Sequence, residues 1–173
     1  MPRKPNEAPL IAQKVELLAA GDYYRQLPLL LRKAKKNIRV CMFHVALPSP
    51  KHPTKRILQA LVAAHRRGVS VRVLVDYDRK KDPYLSRVVN KPAIDYLRHH
   101  GVSCRYDKPE KLLHSKFVTV DGQLTLIGSH NWSAGSYFRY ADVSVGIHSP
   151  AYTRQMNHRF GTLWERGWTP TDA

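Results

Sequence analysis

Cysteine is nearly absent from this sequence: Cys41 and Cys104 are the only two among 173 residues. Two thiols inside apolar stretches, Val40-Cys41-Met42 and Val102-Ser103-Cys104, cannot build a disulfide framework. Neither has the close Cys or His neighbours of a zinc site, so both read as buried thiols. Carboxylates are scarce as well. Thirteen Asp and Glu stand against 29 Lys and Arg, a formal net charge of +16 with His neutral. A surplus of that size makes a polyanion the expected partner, nucleic acid before an anionic lipid surface. Long apolar runs are also missing, and none reaches the length of a signal peptide or a membrane span. With its polar start, Met1-Pro2-Arg3-Lys4-Pro5-Asn6-Glu7, a complete chain of this kind is expected to be soluble and cytoplasmic. What is present is ordinary for a globular protein: 43 % hydrophobic and 24 % charged residues, which excludes a wholly disordered chain.

Residues 1–10 read as a flexible tail and residues 11–173 as one domain, with no internal repeat. Strand and helix patterns then alternate. Val15 to Leu18 is a short apolar run, and Asp22 is the expected N-cap of a helix reaching Lys36 with Tyr23, Leu27, Leu30, Leu31 and Ala34 on one face. Ile38 to Leu47 reads as a strand covered on both faces. A helix from Thr54 stops at Gly68, and Ser70 to Asp76 is β-branched and strand-like. A helix from Tyr84 to His100, kinked near Pro92, leads to a short strand at Val102 to Tyr106. Leu112 to Val120, Gln123 to Ser129 and Asp142 to His148 read as strands, and Pro150 opens a closing helix to Arg166. This order predicts an α/β sandwich, a mixed sheet flanked by helices on both faces.

One segment carries the chemistry. Asp121-Gly122 between two β-rich runs signals a two-residue hairpin, because both turn positions need positive φ. That turn sets Val120 opposite Gln123 and His114 opposite Ser129, with Cβ atoms roughly 5 Å apart. Lys116 and Asn131 lie two residues away on the same face. A neutral imidazole is a nucleophile or base near pH 7, an ammonium suits phosphate oxygens, and a hydroxyl and an amide add neutral donors. The patch holds almost no aspartate, which argues against a two-metal phosphodiesterase; no metal or other cofactor is expected.

The run His114-Ser115-Lys116-Phe117-Val118-Thr119-Val120-Asp121 has the form H-x-K-x4-D, and Gly128-Ser129-His130-Asn131-Trp132-Ser133 follows it. Together they resemble the phospholipase D superfamily of HKD phosphodiesterases, and its single-motif endonuclease branch in particular. The likeness extends over residues 14 to about 167, beginning at Val15-Glu16-Leu17-Leu18. It implies a phospholipase D-like sandwich in which His114 attacks phosphorus and becomes a covalent phosphohistidine. Lys116 and Asn131 would clamp the phosphate, and Ser129 would hydrogen-bond beside them. A second motif histidine would protonate the leaving oxygen and then activate water. The family's later N-x-E is replaced by Tyr140-Ala141-Asp142, so Asp142 would take over the carboxylate that orients a histidine. Asp121, at the turn, points to a structural role, with Gly122 and Gly128 as motif glycines.

Nine histidines are present, His44, His52, His65, His99, His100, His114, His130, His148 and His158, and His114 alone has Lys two residues later. One motif and a need for two imidazoles imply a homodimer sharing its site on the two-fold axis. Other residues read more plainly. His130 faces away from the patch, His44 ends a buried strand, and His99-His100 suits a helix C-terminus. Asp76 and Asp78 read as a solvated loop pair rather than a magnesium site. Trp132 packs beneath the patch. Tyr137, Arg139 and Tyr140 are expected to contact substrate. The expected function is a metal-independent hydrolase, a non-sequence-specific endonuclease of DNA or RNA. The alternatives are a hydrolase of anionic phospholipid such as cardiolipin, or a catalytically silent nucleic-acid-binding relative.

Overall fold

The computed structural model describes residues 10–170; the expected tail lies almost wholly outside them. Seven strands form one mixed sheet: β1 (Lys14–Ala19), β2 (Asn37–Met42), β3 (Ser70–Val75), β4 (Ser103–Tyr106), β5 (Lys116–Val120), β6 (Leu124–Gly128) and β7 (Val143–His148). Their spatial order is β1-β7-β6-β5-β2-β3-β4. β2, β3 and β4 run parallel, as the helical crossovers between them require, and the remaining neighbours are antiparallel.

Strand alternation sorts the core into two layers. Ile38, Val40 and Met42 of β2, and Val71, Val73 and Val75 of β3, face the helices α1 (Gly21–Lys33), α2 (Thr54–Arg66) and α3 (Ser86–His99). Cys41, Leu74 and Phe117 point the other way, onto Phe160, Leu163 and Trp164 of α5 (Pro150–Arg166). Helices thus cover both faces, as the sequence pattern predicts. Both cysteines are free and buried; desolvation pushes the Cys41 thiol far up and that of Cys104 up to about 12.

Several boundaries differ from the sequence reading. Asp22 is no cap: α1 starts at Gly21 behind Ala20, whose φ is 43°, and Asp22 pairs instead with Arg25 in the first turn. The helix ends at Lys33 because Asp121 takes the amides that follow. β2 stops at Met42, and the buried Phe43 and the half-buried His44 follow it outside the ladder. α3 begins at Ser86, and it runs on through Pro92, whose missing N–H faces the exposed turn at Val88. A short helix, α4 (Ala134–Phe138), was not foreseen; Ser133 caps it by accepting from the Ser136 amide at 3.3 Å.

The hairpin register is shifted by one residue. Pairing runs Phe117↔Ile127, Val118↔Leu126 and Val120↔Leu124, so the turn holds three residues, Asp121, Gly122 and Gln123. Asp121 and Gly122 have φ of 54° and 69° as expected, but Gln123 donates its amide to Val120 O at 3.0 Å and stays within the turn. β5 begins at Lys116, opposite the last residue of β2, and His114 precedes the strand instead of facing Ser129.

Candidate active site

The strand ends that converge at one end of the sheet carry the predicted patch. Lys116 opens β5 and pairs with Met42, the last residue of β2; one step beyond the Phe117↔Ile127 pair lies Gly128, followed by Ser129. Asp142 immediately precedes β7. His114 and Ser129 are exposed, while Lys116, Asn131 and Asp142 are half-buried.

His114 hangs on a segment outside the sheet. The preceding Leu113 is buried in the α5-side core, and its amide donates to Asp76 Oδ1 at 2.7 Å. The imidazole lies against the Phe43 ring, with centroids 4.9 Å apart. Lys116 Nζ stands 5.1 Å from that ring's centroid and donates to His114 O at 2.8 Å. Desolvation, reinforced by the Lys116 ammonium, holds the His114 imidazole below its ordinary range, with Asp76 opposing. A neutral ring at pH 7 is the nucleophilic form. Lys116 is lowered by desolvation, and the Asp142 carboxylate offsets this in part.

Asn131 is oriented from its oxygen end. The His44 amide donates to Asn131 Oδ1 at 3.3 Å, which leaves the NH2 group as the outward donor. The Asn131 amide itself donates to Ser136 Oγ at 3.1 Å. Gly128 is required sterically, because a Cβ there would lie 2.3 Å from Val143 O and Ser144 Oγ.

Asp142 does not hold an imidazole of this chain. It accepts from Ser129 Oγ at 2.6 Å, and the same hydroxyl oxygen accepts the Val143 amide at 3.0 Å. Burial works against its ionisation, yet the hydroxyls of Ser129 and Ser136 and the charges of His130 and Lys116 hold it below the usual carboxylate range. Ser129 is thus fixed as a donor to a carboxylate and an acceptor from the backbone.

Two other expectations are corrected. Tyr137 is buried, its hydroxyl 3.3 Å from Thr54 Oγ1, because α4 turns it into the core; it cannot touch substrate there. Arg139 and Tyr140 are exposed. Asp76 and Asp78 are 2 % and 3 % exposed, so they are not a solvated loop pair. Three or more His, Cys, Asp or Glu side chains grouped to hold a metal do not occur among the described residues. Other residues fit their plain readings. His130 is buried between Ser144 Oγ (2.9 Å) and Ala20 O (3.2 Å), stacked on Tyr23 at 4.5 Å. Trp132 is fully buried and donates to Tyr23 Oη at 3.0 Å. Asp121 accepts the amides of Lys35, Lys36 and Asn37 at 2.8, 2.7 and 3.0 Å.

Sequence reasoning missed Phe43 and His44. His44 stacks on Phe43 with centroids 3.9 Å apart, and its Nε2 donates to Tyr84 O at 3.2 Å, which leaves Nδ1 without a proton. The apolar run through Val45 masked both, since only the early end of β2 makes them a wall of the site.

Fold and site together define a phospholipase D-like domain. The family model described as "Cardiolipin synthase, PLD-like domain" matches residues 28–164, and the chain belongs to that family within the phospholipase D superfamily of hydrolases. The mitochondrial cardiolipin hydrolase of Xenopus tropicalis is 34 % identical over 142 residues, covering 82 % of this chain and 61 % of that protein. The chain spans about half to three fifths of the length of the mitochondrial cardiolipin hydrolases it matches. Among solved structures, Nuc from Salmonella typhimurium superposes with a TM-score of 0.73 at 21 % identity, covering 90 % of this chain and 97 % of that one. NucT from Helicobacter pylori gives 0.70 at 16 %, covering 89 % and 97 %.

Proposed function

We propose that this chain is a metal-independent phosphodiesterase acting on nucleic acid through a covalent phosphohistidine at His114. The observation that carries the reading is the meeting of His114, Lys116, Ser129 and Asn131 at one end of the sheet, on a chain of net charge +16. The His114 imidazole attacks phosphorus; an N–P bond forms and the P–O bond to the leaving group breaks. Lys116 and the Asn131 NH2 group hold the oxygens on which charge builds. The leaving oxygen takes a proton from a second imidazole, which the partner's His114 supplies in a homodimer with its site on the two-fold axis. Water then adds to phosphorus, its proton returns to that second ring, and the N–P bond breaks. Asp142 positions Ser129 at the same centre. Contacts to a phosphodiester backbone give an affinity that falls steeply with salt and little sequence preference.

A lipid phosphodiester is the second reading, favoured by two observations. Relatives bear the name mitochondrial cardiolipin hydrolase. Exposed apolar side chains also flank the site: Leu85 is 52 % exposed beside Tyr84, Leu112 is 37 % exposed two residues before His114, and Tyr140 is 59 % exposed two residues before Asp142. No helix of the described residues is long and apolar enough to cross a membrane. The discriminating experiment incubates the protein in EDTA with plasmid, single-stranded DNA, RNA and cardiolipin vesicles, beside His114→Ala. Cleavage of nucleic acid lost in the variant supports the first reading, turnover of lipid alone the second, and binding without turnover a silent relative.

A further inference from the structure

The buried acidic groups at the ends of β3 and β4 remain outside the site as described. Two of the three have cationic partners: Asp107 pairs with Arg166 at 3.1 Å, and Asp78 faces Arg87 at 3.6 Å. Asp76 has no ion pair among the described residues, although it is 2 % exposed. Its carboxylate is held by two donors, the Leu113 amide at 2.7 Å on Oδ1 and the Ser86 hydroxyl at 2.5 Å on Oδ2. The Ser86 oxygen in turn accepts the Asp78 amide at 2.9 Å.

The main chain around Asp76 is equally fixed. Its carbonyl accepts Asn90 Nδ2 at 2.9 Å, and the same buried amide group spans Phe43 O at 2.9 Å and the Val45 amide at 2.7 Å. One side chain thus ties the exits of β2 and β3 together, one bearing the Phe43 ring against which His114 lies and the other bearing Asp76. A buried carboxylate without a cation is costly unless a nearby positive charge uses it. The residue after its Leu113 partner is the candidate nucleophile, with the Lys116 ammonium beside it.

We propose that Asp76 is a positioning residue for His114: its carboxylate holds the Leu113 amide, fixing the segment that carries the imidazole, and its negative charge stands behind the ring as that ring becomes bonded to phosphorus and cationic. The inference rests on reading His114 as the nucleophile. It also accounts for the off-sheet placement of His114, since a residue in the β5 ladder would need no side-chain tether. The groups facing the pair are few. Asp76 is faced by Asp78 and Asp107, and His114 by Lys116 on β5 and His44 beyond β2. Desolvation, strengthened by Asp78 and Asp107 and opposed by the Ser86 and Leu113 donors, raises the Asp76 carboxyl above the usual range.

The test is the titration of the His114 ring by NMR in Asp76→Asn, alongside hydrolysis of bis(p-nitrophenyl) phosphate in EDTA. That near-isosteric change keeps an acceptor for the Leu113 amide and removes the charge. The His114 ring then titrates at lower pH than in the unsubstituted protein, and kcat falls roughly tenfold with KM little changed, the loss expected for one charge-assisted contact. Asp76→Ala, which removes the acceptor too, lowers kcat further and shifts the Leu113 amide proton upfield. A His114 titration unchanged in both variants overturns the proposal, whatever happens to stability. If neither variant folds, the unsubstituted chain decides: the Leu113 amide proton moves upfield as pH falls through the raised Asp76 titration, and a flat profile overturns the assignment. Activity in His114→Ala tests the nucleophile separately, and the ring titration does not depend on it.

Discussion

The two ends of β5 differ sharply, although five residues separate them. At the Asp121 end the carboxylate gathers three backbone amides from the segment after α1, and the turn closes onto Val120. At the Lys116 end, His114 is exposed, the Asn131 NH2 group points outward, and the Lys116 ammonium donates to a carbonyl and lies over an aromatic ring. On the proposed function, one motif supplies a staple at one end and a reactive group at the other. Substitutions at the two ends should separate stability from chemistry.

The largest effect is expected at the open end. His114→Ala should reduce phosphodiester hydrolysis at least about a thousandfold, measured in EDTA, while the thermal midpoint stays within a few degrees. Lys116→Met and Asn131→Ala should each cost about a hundredfold in kcat, with little change in stability, because each removes one donor to the developing charge. The pH profile sharpens the same contrast. His114 is held below the ordinary imidazole range, so the acid limb of kcat/KM should lie below that range and steepen no further at neutral pH.

The closed end should behave in the opposite way. Asp121→Asn should cost about 1 kcal/mol in urea unfolding and leave kcat of the folded protein unchanged. Burial opposes ionisation of Asp121, but the amides of Asn37, Lys35 and Lys36 and the Lys36 charge lower its carboxyl below the usual range. Its folded titration is depressed, so its stabilisation is present above the unfolded carboxylate range and lost as pH falls through the depressed value. The smallest effect is expected at Tyr137→Phe, which loses one buried hydroxyl contact with Thr54. It should cost only about 0.5 kcal/mol and leave KM unaltered, whereas a substrate contact would raise KM.

The motif itself was legible because H-x-K-x4-D and the Ser-x-Asn run name their own chemistry, and the continuous apolar run through β2 announced a sheet covered on both faces. The register was not. Asp-Gly suits a two-residue turn, but the Asp121 carboxylate is claimed by amides at 35–37, a contact more than eighty residues away that no local pattern carries. The extra turn residue took Ser129 out of line with His114, and β5 starts only at Lys116, opposite the last residue of β2. α4 was hidden for a related reason: five residues capped by Ser133 carry too little periodicity, so Tyr137 read as a surface aromatic when it was core. His44 read as the end of a buried strand, while its amide in fact orients Asn131.

The central claim is a transient bond between the His114 ring and phosphorus, and rapid quenching with a 32P-labelled phosphodiester tests it most directly. The account predicts a base-stable, acid-labile adduct mapping to His114 and absent from His114→Ala. Turnover at the full rate with no label at that residue, or with label on another side chain, would contradict it.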